Sequence, residues 1–475
     1  MIGSILLKEL RDHLLSLRFQ MGLLLAVGLV SASAFVLAGN YQRERSEYYQ
    51  LQRQEDDFLA RYAHLNRLGA ALTVSRPPAS TVLVRGLPND AGVETLDVNP
   101  MPELFPPMDL ALVVAVIFSL LGIVLGFDAV NGEGERGTLK LMLANRVRRF
   151  QVLGAKWVGG MLVLVLAFLA AVLAGAAIVL LQSGTHWNAD EWLSFAWVCG
   201  VSLLYCGAFF ALALMLSTLA RRSSVSVLAS MFAWVLLVLL VPNLSPYVAA
   251  QIVRVPARAA LERDRQFITS EERDQILRGE AQKIVQKHNL DVDWRQLFVD
   301  VTPEAVKRRV AADPGFRRLY EQIRDELMAM VNDVNRRQGE KAGRLMDAWR
   351  SRARQQFELS RRLSYASPLP PFVYAATELS VTGFKGREHY LEQASRFGSA
   401  LWQYAEKRFQ EERRKNPALT SNDFLDVSTR PRFAYVPPRF SDRLEEALPF
   451  VRMLVAWNAV FFVGAMVGFL RFDVR

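Results

Sequence analysis

The sequence predicts an all-α protein that crosses a membrane six times and carries a mainly helical domain outside it. The apolar residues, 51% of the 475, fall in unbroken runs, and the charged residues gather in the segments between these runs. A helix needs about 20 predominantly apolar residues to cross the hydrocarbon layer of a bilayer. Six runs have roughly this length: Phe19–Gly39, Leu110–Phe127, Trp157–Leu181, Leu193–Leu219, Val225–Val241 and Met453–Leu470.

The short connections between these runs set the expected orientation, because Lys and Arg near a span tend to remain cytoplasmic. Residues 1–18, the segment 128–156, the turn Arg221-Arg222 and the tail 471–475 are basic, whereas Gln182–Glu191 contains no Lys or Arg. We therefore expect both termini in the cytoplasm of a bacterium, with the spans in its inner membrane. Long translocated segments largely escape this charge rule. The segments expected outside are 40–109 and 242–448.

Local patterns predict the elements of the N-terminal part. Residues 1–18 mix leucines with charged residues, as in a helix that lies in the inner interface, although the leading turns of the first span are an alternative. A polar helix over Tyr41–Leu68 is expected after the first span. Beyond it, Thr81–Arg85 and Val93–Val98 are separated by Gly, Pro, Asn and Asp, which predicts a short β hairpin.

The long segment 242–448 is predicted to be mainly helical. Asp313-Pro314 offers a capping carboxylate followed by proline at the first helical position, where the missing N–H costs nothing, and Thr302-Pro303-Glu304 offers the same signal. From Phe316 to Val334, apolar residues recur at three- and four-residue spacing. This spacing predicts a helix with one face packed inward and its charged residues in solvent.

Composition argues against several classes of function. The net charge of +10 is shared between short loops and the long segments, so topology and a lipid surface explain it better than nucleic acid does. Cys199 and Cys206 lie in one predicted span, about 10 Å apart in helical rise, too far for a disulfide. The histidines lack metal-ligand spacing. The spans hold almost no ionisable residue away from their ends, which argues against an ion-coupled carrier.

No nucleotide site is expected on this chain. The P-loop pattern is absent from the sequence. Gly132–Gly137 matches the G-x-G-x-x-G pattern, but it follows a membrane span instead of a strand, and Glu133 and Glu135 would oppose a phosphate. Asp291-Val292-Asp293 is expected to be an exposed turn, not a cation site. We therefore expect no cofactor on this chain, and any chemistry with ATP and Mg²⁺ in another subunit.

The segment Asp128–Trp157 carries the clearest functional signal. Gly137 and Thr138 can break and restart a helix between two spans. The candidate site residues then divide into an apolar face and a group of arginines that can pair with acids or lipid phosphates. The apolar face consists of Leu139, Met142 and Leu143, and the arginines are Arg146, Arg148 and Arg149. A basic loop that only sets topology is the alternative.

This segment resembles that of permease subunits of the ABC-2 family of ATP-driven transporters. The residues that carry the resemblance are Gly134–Leu139, Leu141–Asn145, Val147–Arg149 and Gly154–Lys156, with Arg146 standing where the family commonly has proline. Ser367-Pro368, Leu379–Gly383, His389-Tyr390 and Phe397 also resemble the outer domain of a subgroup with large extracytoplasmic insertions.

The resemblance implies that Glu135–Arg149 forms a coupling helix seated in a cleft of an ATP-binding subunit. It further implies a complex of two ATPase subunits with this permease and a second one, identical or homologous, that exports a substrate. A non-transport role within the family, mechanical work on a periplasmic partner, stays open. A membrane-anchored sensor or scaffold with an outer ligand-binding domain is the alternative from a different class.

Overall fold

The computed structural model describes residues 2–62, 77–82, 84–86, 108–144, 148–183, 187–288, 304–416, 425 and 429–472. Over these residues the chain is almost entirely helical and contains no strand. The α-helices are α1 (Ile2–Leu14), α2 (Leu17–Tyr62), α3 (Leu110–Val113), α4 (Ser119–Gly126), α5 (Asn131–Glu135), α6 (Thr138–Ala144), α7 (Arg149–Ser183), α8 (Ala189–Leu219), α9 (Ser223–Trp234), α10 (Val241–Ile252), α11 (Arg258–Gln266), α12 (Arg273–Lys287), α13 (Glu304–Ala312), α14 (Pro314–Ser364), α15 (Leu369–Leu379), α16 (Phe384–Lys415) and α17 (Phe440–Arg471).

Six stretches of helix in the described part of the chain are long and apolar enough to cross a membrane, which confirms the predicted fold class. Several helices extend well beyond their apolar runs because the flanking polar residues continue the same helix; α2, for instance, continues the first span into the polar stretch that follows it. The spans, numbered 1 to 6 in chain order, are Leu17–Asp57, Leu110–Glu135, Arg149–Gln182, Ala189–Leu219, Ser223–Ile252 and Phe440–Arg471.

Span 4 is the central helix of the bundle. In its apolar window 72% of the residues are buried, against 22% in span 5, whose outward side chains such as Leu228 and Phe232 are left for lipid. Glycines let span 2 approach span 4 closely: a Cβ at Gly122 would lie 3.2 Å from the Cys206 carbonyl oxygen. Small residues are the usual means of close helix packing in membranes. The cysteines of span 4 are both free.

The chain between spans 5 and 6 includes a short helix that packs into the bundle. α15 contacts spans 4 and 6, and the ring of its Phe372 stacks on Tyr205 with the ring centroids 4.6 Å apart. The connection to α16 is tight, since Val381 adopts a left-handed φ of 60°. The carboxylate of Glu378 accepts a hydrogen bond from the Lys385 backbone N–H at 3.2 Å, at the start of α16.

Residues 243–364 form a second compact unit with a core of its own. The Asp313 carboxylate accepts hydrogen bonds from the backbone N–H groups of Gly315 and Phe316, which confirms the predicted helix start. On α14, Ile323 and Leu327 are buried against α12, so the predicted inward face is also confirmed. The rest of this core consists of Ala281, Val285 and Tyr320.

The predicted β hairpin is wrong where the structure describes it. Thr81 lies in a 3₁₀ turn, Ala79–Val82, and residues 84–86 pair with no strand among the described residues. The Arg85 N–H donates to the Asp109 carboxylate at 2.8 Å, where a strand would bond its neighbour. The second predicted strand, Val93–Val98, lies outside the described residues, as do Thr302-Pro303 and Asp291-Val292-Asp293.

Candidate docking segment and its anchors

The end of span 2 and the chain that follows it form two short helices joined at a glycine. α5 ends at Glu135, and Gly137 takes a left-handed φ of 73° before α6 begins at Thr138. Glycine adopts this conformation without the steric cost that a Cβ imposes. The Thr138 hydroxyl donates to the Glu133 carbonyl oxygen at 3.3 Å and fixes the turn. The helix break that the sequence predicted at Gly137-Thr138 is thus confirmed, and we call residues 131–149 the docking segment.

One face of the docking segment is buried inside the chain. Leu139 is 0% exposed and packs in a cluster with Val130, Leu153 and Phe469, with Met142 partly buried against it. The expectation that Leu139 offers an apolar surface to a partner therefore needs correction. Its side chain packs against the ends of spans 2, 3 and 6 of the same chain. The Leu143 side chain and Arg146 lie outside what the structure describes.

The opposite face of the docking segment is open to solvent. Arg136, Lys140 and Arg148 are exposed, as is Glu135. The Arg136 guanidinium also donates to the Gly132 carbonyl oxygen at 3.0 Å. This hydrogen bond holds the side chain in place while its charge remains accessible to solvent. This face therefore presents three cations: Arg136 in the turn after α5, Lys140 on α6 and Arg148 directly before α7.

Glu135 ties the docking segment to span 5. Its carboxylate accepts hydrogen bonds from the Ser223 backbone N–H at 2.8 Å and from the Ser223 hydroxyl at 3.0 Å. Ser223 is the first residue of α9. A carboxylate at a helix N-terminus satisfies an otherwise unpaired N–H and interacts favourably with the helix dipole.

Arg149 ties the end of the docking segment to span 6. Its guanidinium donates to the carbonyl oxygens of Phe469 and Leu470 at 2.6 and 2.9 Å, and lies over the Phe469 ring at 5.8 Å from the centroid. These carbonyls belong to the last turn of α17, which has no helical donors of its own. The expected pairing of Arg149 with acids or lipid phosphates is thus replaced by contacts within the chain.

A buried charge cluster joins the docking segment to span 3 and α1. The Lys156 side chain is 2% exposed, and its Nζ lies 2.7 Å from Glu9 Oε1 and 2.9 Å from Glu133 Oε2. Lys8 Nζ lies 2.8 Å from the other oxygen of Glu133. Lys156 thus joins carboxylates of α1 and α5, and we call these four residues the charge clamp.

The clamp brings α1 close against span 3. A Cβ at Gly159 would lie 3.1 Å from Glu9 Cβ, so the two helices touch at this glycine. Partial burial lowers the pKa of Lys8, but the hydrogen bond to Glu133 and the negative charges of Glu133, Glu9 and Asp12 together outweigh this and raise the pKa. His13 lies 3.7 Å from Glu9, and burial lowers the pKa of its imidazole. The Lys8 ammonium therefore remains charged and the His13 imidazole neutral at pH 7.

Sequence reasoning did not identify this clamp. In the sequence, Lys8 and Lys156 belong to the basic segments that indicate topology, and Glu133 belongs to a glycine pattern that predicts no nucleotide site. The signal was present: Lys156 stands between Ala155 and Trp157 at the start of an apolar run, where an unpaired ammonium is costly. The identity of the acids that pair with Lys156 depends on how α1 and α5 pack. Glu9 of α1 and Glu133 of α5 precede Lys156 by 147 and 23 residues.

The glycine pattern Gly132–Gly137 has a geometry unlike that of a dinucleotide-binding fold. It follows helix α4 and lies largely on α5, and the carboxylate of its Glu133 forms an ion pair with the Lys156 ammonium. In the dinucleotide fold the pattern must follow a strand. No group of three or more potential metal ligands occurs among the described residues.

Comparison with known proteins agrees with this architecture. A family model described as "ABC-2 family transporter protein" matches residues 4–474. The chain belongs to this ABC-2 family. It is also 34% identical over 131 residues to a probable ABC transporter permease protein, NosY, of Stutzerimonas stutzeri. That alignment covers 27% of this chain and 47% of NosY, so the chain spans about half the length of the relative that it matches.

Membership of the ABC-2 family makes the chain a transmembrane subunit of an ABC transporter. Together with its six long apolar helices, this makes it a multi-pass membrane protein.

Proposed function

We propose that the chain is the permease subunit of an exporter in the inner membrane, with both termini cytoplasmic, and that the docking segment receives the movement of a separate ATPase. Two ATPase subunits and a second permease, identical or homologous, complete the complex. ATP and Mg²⁺ belong to the ATPase. Family membership supports the ATPase partner, and the basic short connections support the orientation.

One observation carries the coupling role: the docking segment is anchored to three different spans. Glu135 binds the start of span 5, Arg149 the end of span 6, and Glu133 the Lys156 ammonium of span 3. A loop that only sets topology needs none of these contacts. A force applied to the exposed face is therefore passed directly to three membrane helices.

The exposed face is suited to an acidic surface. Arg136, Lys140 and Arg148 present positive charge, while Leu139 and Met142, two of the residues that predicted a hydrophobic seat, pack in the chain's own core. Recognition of the ATPase is thus mainly electrostatic on the described part of the segment. Exposed charges of this kind govern the association rate and its salt dependence.

Charge reversal tests the docking proposal. In the complex co-expressed with its ATPase, Lys140→Glu and Arg148→Glu together should lower the amount of ATPase recovered several-fold and increase its salt sensitivity. Lys407→Glu, at an exposed lysine on α16, is the matched control. Unchanged recovery and unchanged stimulation of ATP hydrolysis in the double variant would refute the docking role of this face.

A mechanical role is the second candidate, and the compact unit 243–364 favours it. This unit has its own core around Ile323 and Leu327, and a structure of that size is unnecessary for lining a pore. It would carry movement to a partner outside the cytoplasm. Photo-cross-linking from exposed positions on α14, with and without ATP turnover, tests this: a partner trapped only during turnover supports the mechanical role, and turnover-independent products speak against it.

A further inference from the structure

Spans 2 and 5 each contain a π-helical turn, and the two turns are joined by a hydrogen bond. The turns are Val114–Phe118 and Val235–Leu240. Trp234 precedes the second turn, and its indole N–H donates to the Ser119 hydroxyl at 2.8 Å, with both groups buried. π turns interrupt the regular helical ladder and often mark functional positions.

The turn in span 5 leaves a carbonyl without a backbone donor. In a π turn the carbonyl of Leu237 would pair with the N–H five residues later, but that residue is Pro242, which has none. The N–H of Val241 is already used by the Leu236 carbonyl oxygen. Within a membrane an unpaired backbone carbonyl costs several kcal/mol, so the Leu237 carbonyl requires a donor from elsewhere.

Ser367 supplies this donor. Its hydroxyl is fully buried and donates to the Leu237 carbonyl oxygen. The Ser367 hydroxyl oxygen in turn accepts the N–H of Leu369, the first residue of α15, at 3.1 Å. Span 2 shows a parallel arrangement, since the Tyr205 hydroxyl of span 4 donates to the Ala115 carbonyl oxygen at 3.0 Å. In both spans a hydroxyl group from a neighbouring part of the chain therefore donates a hydrogen bond to a carbonyl oxygen of the π turn.

Ser367 stands at a junction in the sequence. It follows the last residue of α14 by three positions and precedes α15 by two. At the other end of α9, Glu135 of the docking segment binds Ser223. Helix α9 is thus bound to the docking segment at its first residue. The π turn that Ser367 holds follows directly after the last residue of α9.

We propose that Ser367 is a positioning residue that makes α15 move with span 5, so that a displacement of the docking segment reaches the chain between spans 5 and 6. This inference rests on the proposed function, since the docking segment must receive the ATPase's movement. α9 transmits the displacement to the π turn of span 5, and the Ser367 hydroxyl ties α15 to that turn.

Hydrogen–deuterium exchange of the chain in complex with its ATPase tests the proposal. The complex is compared without nucleotide and after trapping with Mg·ATP and vanadate. In the unmodified complex the exchange of residues 138–144, 235–240 and 369–379 should depend on nucleotide. In Ser367→Ala the nucleotide-dependent difference should be lost at 369–379 and retained at 138–144 and 235–240. Ser367→Thr, which keeps the hydroxyl, should restore it.

Thr377→Val is the matched control, because the Thr377 hydroxyl bonds only to carbonyls of α15, at 2.8 and 3.2 Å. It should leave all three responses unchanged. If Ser367→Ala does not assemble, Trp234→Phe is used instead. It removes the hydrogen bond to Ser119 at the start of the same turn and should likewise abolish the response at 369–379.

The outcomes separate this inference from the proposed function. A nucleotide response at 369–379 that survives in Ser367→Ala, or in Trp234→Phe where that variant is used, overturns the inference and leaves the docking role intact. The absence of any nucleotide response at 138–144 and 235–240 in the unmodified complex overturns both. A loss at 369–379 in Ser367→Thr equal to that in Ser367→Ala also overturns the role of the hydroxyl.

Discussion

Replacing Lys156 tests the energetic role of the charge clamp. Lys156→Met keeps the volume and apolar stem of the side chain but leaves the Glu9 and Glu133 carboxylates, with side chains 7% and 6% exposed, without their shared ammonium. Breaking a buried ion pair by removing one partner costs roughly 3–5 kcal/mol, because the remaining charge stays desolvated. Lys8, at 2.8 Å from Glu133, compensates for part of one carboxylate only. We therefore expect a loss of stability toward the lower end of this range.

The triple variant Glu9→Gln/Glu133→Gln/Lys156→Met distinguishes this mechanism from a simple packing loss. It removes the uncompensated charges as well, and replacing a whole buried pair by neutral groups is often close to neutral. Lys8 remains, but its side chain is 44% exposed and can be hydrated. The triple variant should therefore regain most of the stability that the single variant loses.

The measurement is the unfolding free energy from titration with a denaturing detergent, arranged as a mutant cycle so that the coupling between Lys156 and its two acids is obtained directly. Lys140→Met, at an exposed lysine of α6, serves as the control and should change little. If Lys156→Met unfolds like the unmodified chain, or if the triple variant is as unstable as the single one, the clamp does not act as described.

Three further predictions follow from the site and the fold. Gly137→Ala, at φ 73°, should destabilise the chain by roughly 1–2 kcal/mol through the left-handed conformation alone, which the same unfolding titration measures; an unchanged midpoint would contradict it. Leu139→Asp should abolish assembly, since it places a carboxylate at a position that is 0% exposed. The neighbouring Lys140→Asp should assemble normally and weaken ATPase binding, as gel filtration and co-purification can show; the reverse pattern would mean that α6 is rotated. Burial raises the pKa of the Glu378 carboxyl above its ordinary value of 4.5, although backbone N–H groups of α16 partly oppose this. The folded state therefore holds this proton more tightly than the unfolded state. Stability should decline as pH rises from 4.5 to the raised pKa. Glu378→Gln should remove that decline from the pH profile of thermal unfolding, and an unaltered profile would assign it to another group.

The spans could be predicted from sequence because the physical requirement is local. Any helix that crosses a bilayer must present about 20 apolar residues in succession, and nothing distant in the chain alters that. The start of α14 at Asp313-Pro314 is local in the same sense, since the capping carboxylate acts within three residues.

The predicted strand at Thr81–Arg85 failed because a strand depends on a partner. Alternating residues and turn signals describe a segment that can pair, but here the Arg85 N–H finds the Asp109 carboxylate 24 residues later. A Cβ at Gly86 would lie 2.0 Å from the Thr382 carbonyl oxygen, so this stretch is fixed by close contact with the chain before α16. A contact across some 300 positions leaves no trace in local periodicity.

The docking segment shows the same limit at the level of single residues. Helical spacing indicated that Leu139 and Met142 share a face, and the structure agrees. Spacing does not indicate whether that face meets a partner protein or the chain's own core. The identity of the covering residues, among them Leu153 and Phe469, follows only from the packing of spans 3 and 6.

In the proposed coupling role, the two faces of the docking segment differ in function. The buried face, with Leu139 and the anchors Glu133 and Arg149, is continuous with the spans and must stay intact for the segment to transmit force. The exposed face, with Lys140 and Arg148, can change its charges without altering that connection. Partner specificity is therefore free to vary on one side while transmission is fixed on the other, and variants on the two faces should fall into separate classes: loss of stability for the buried one, loss of ATPase binding at full stability for the exposed one.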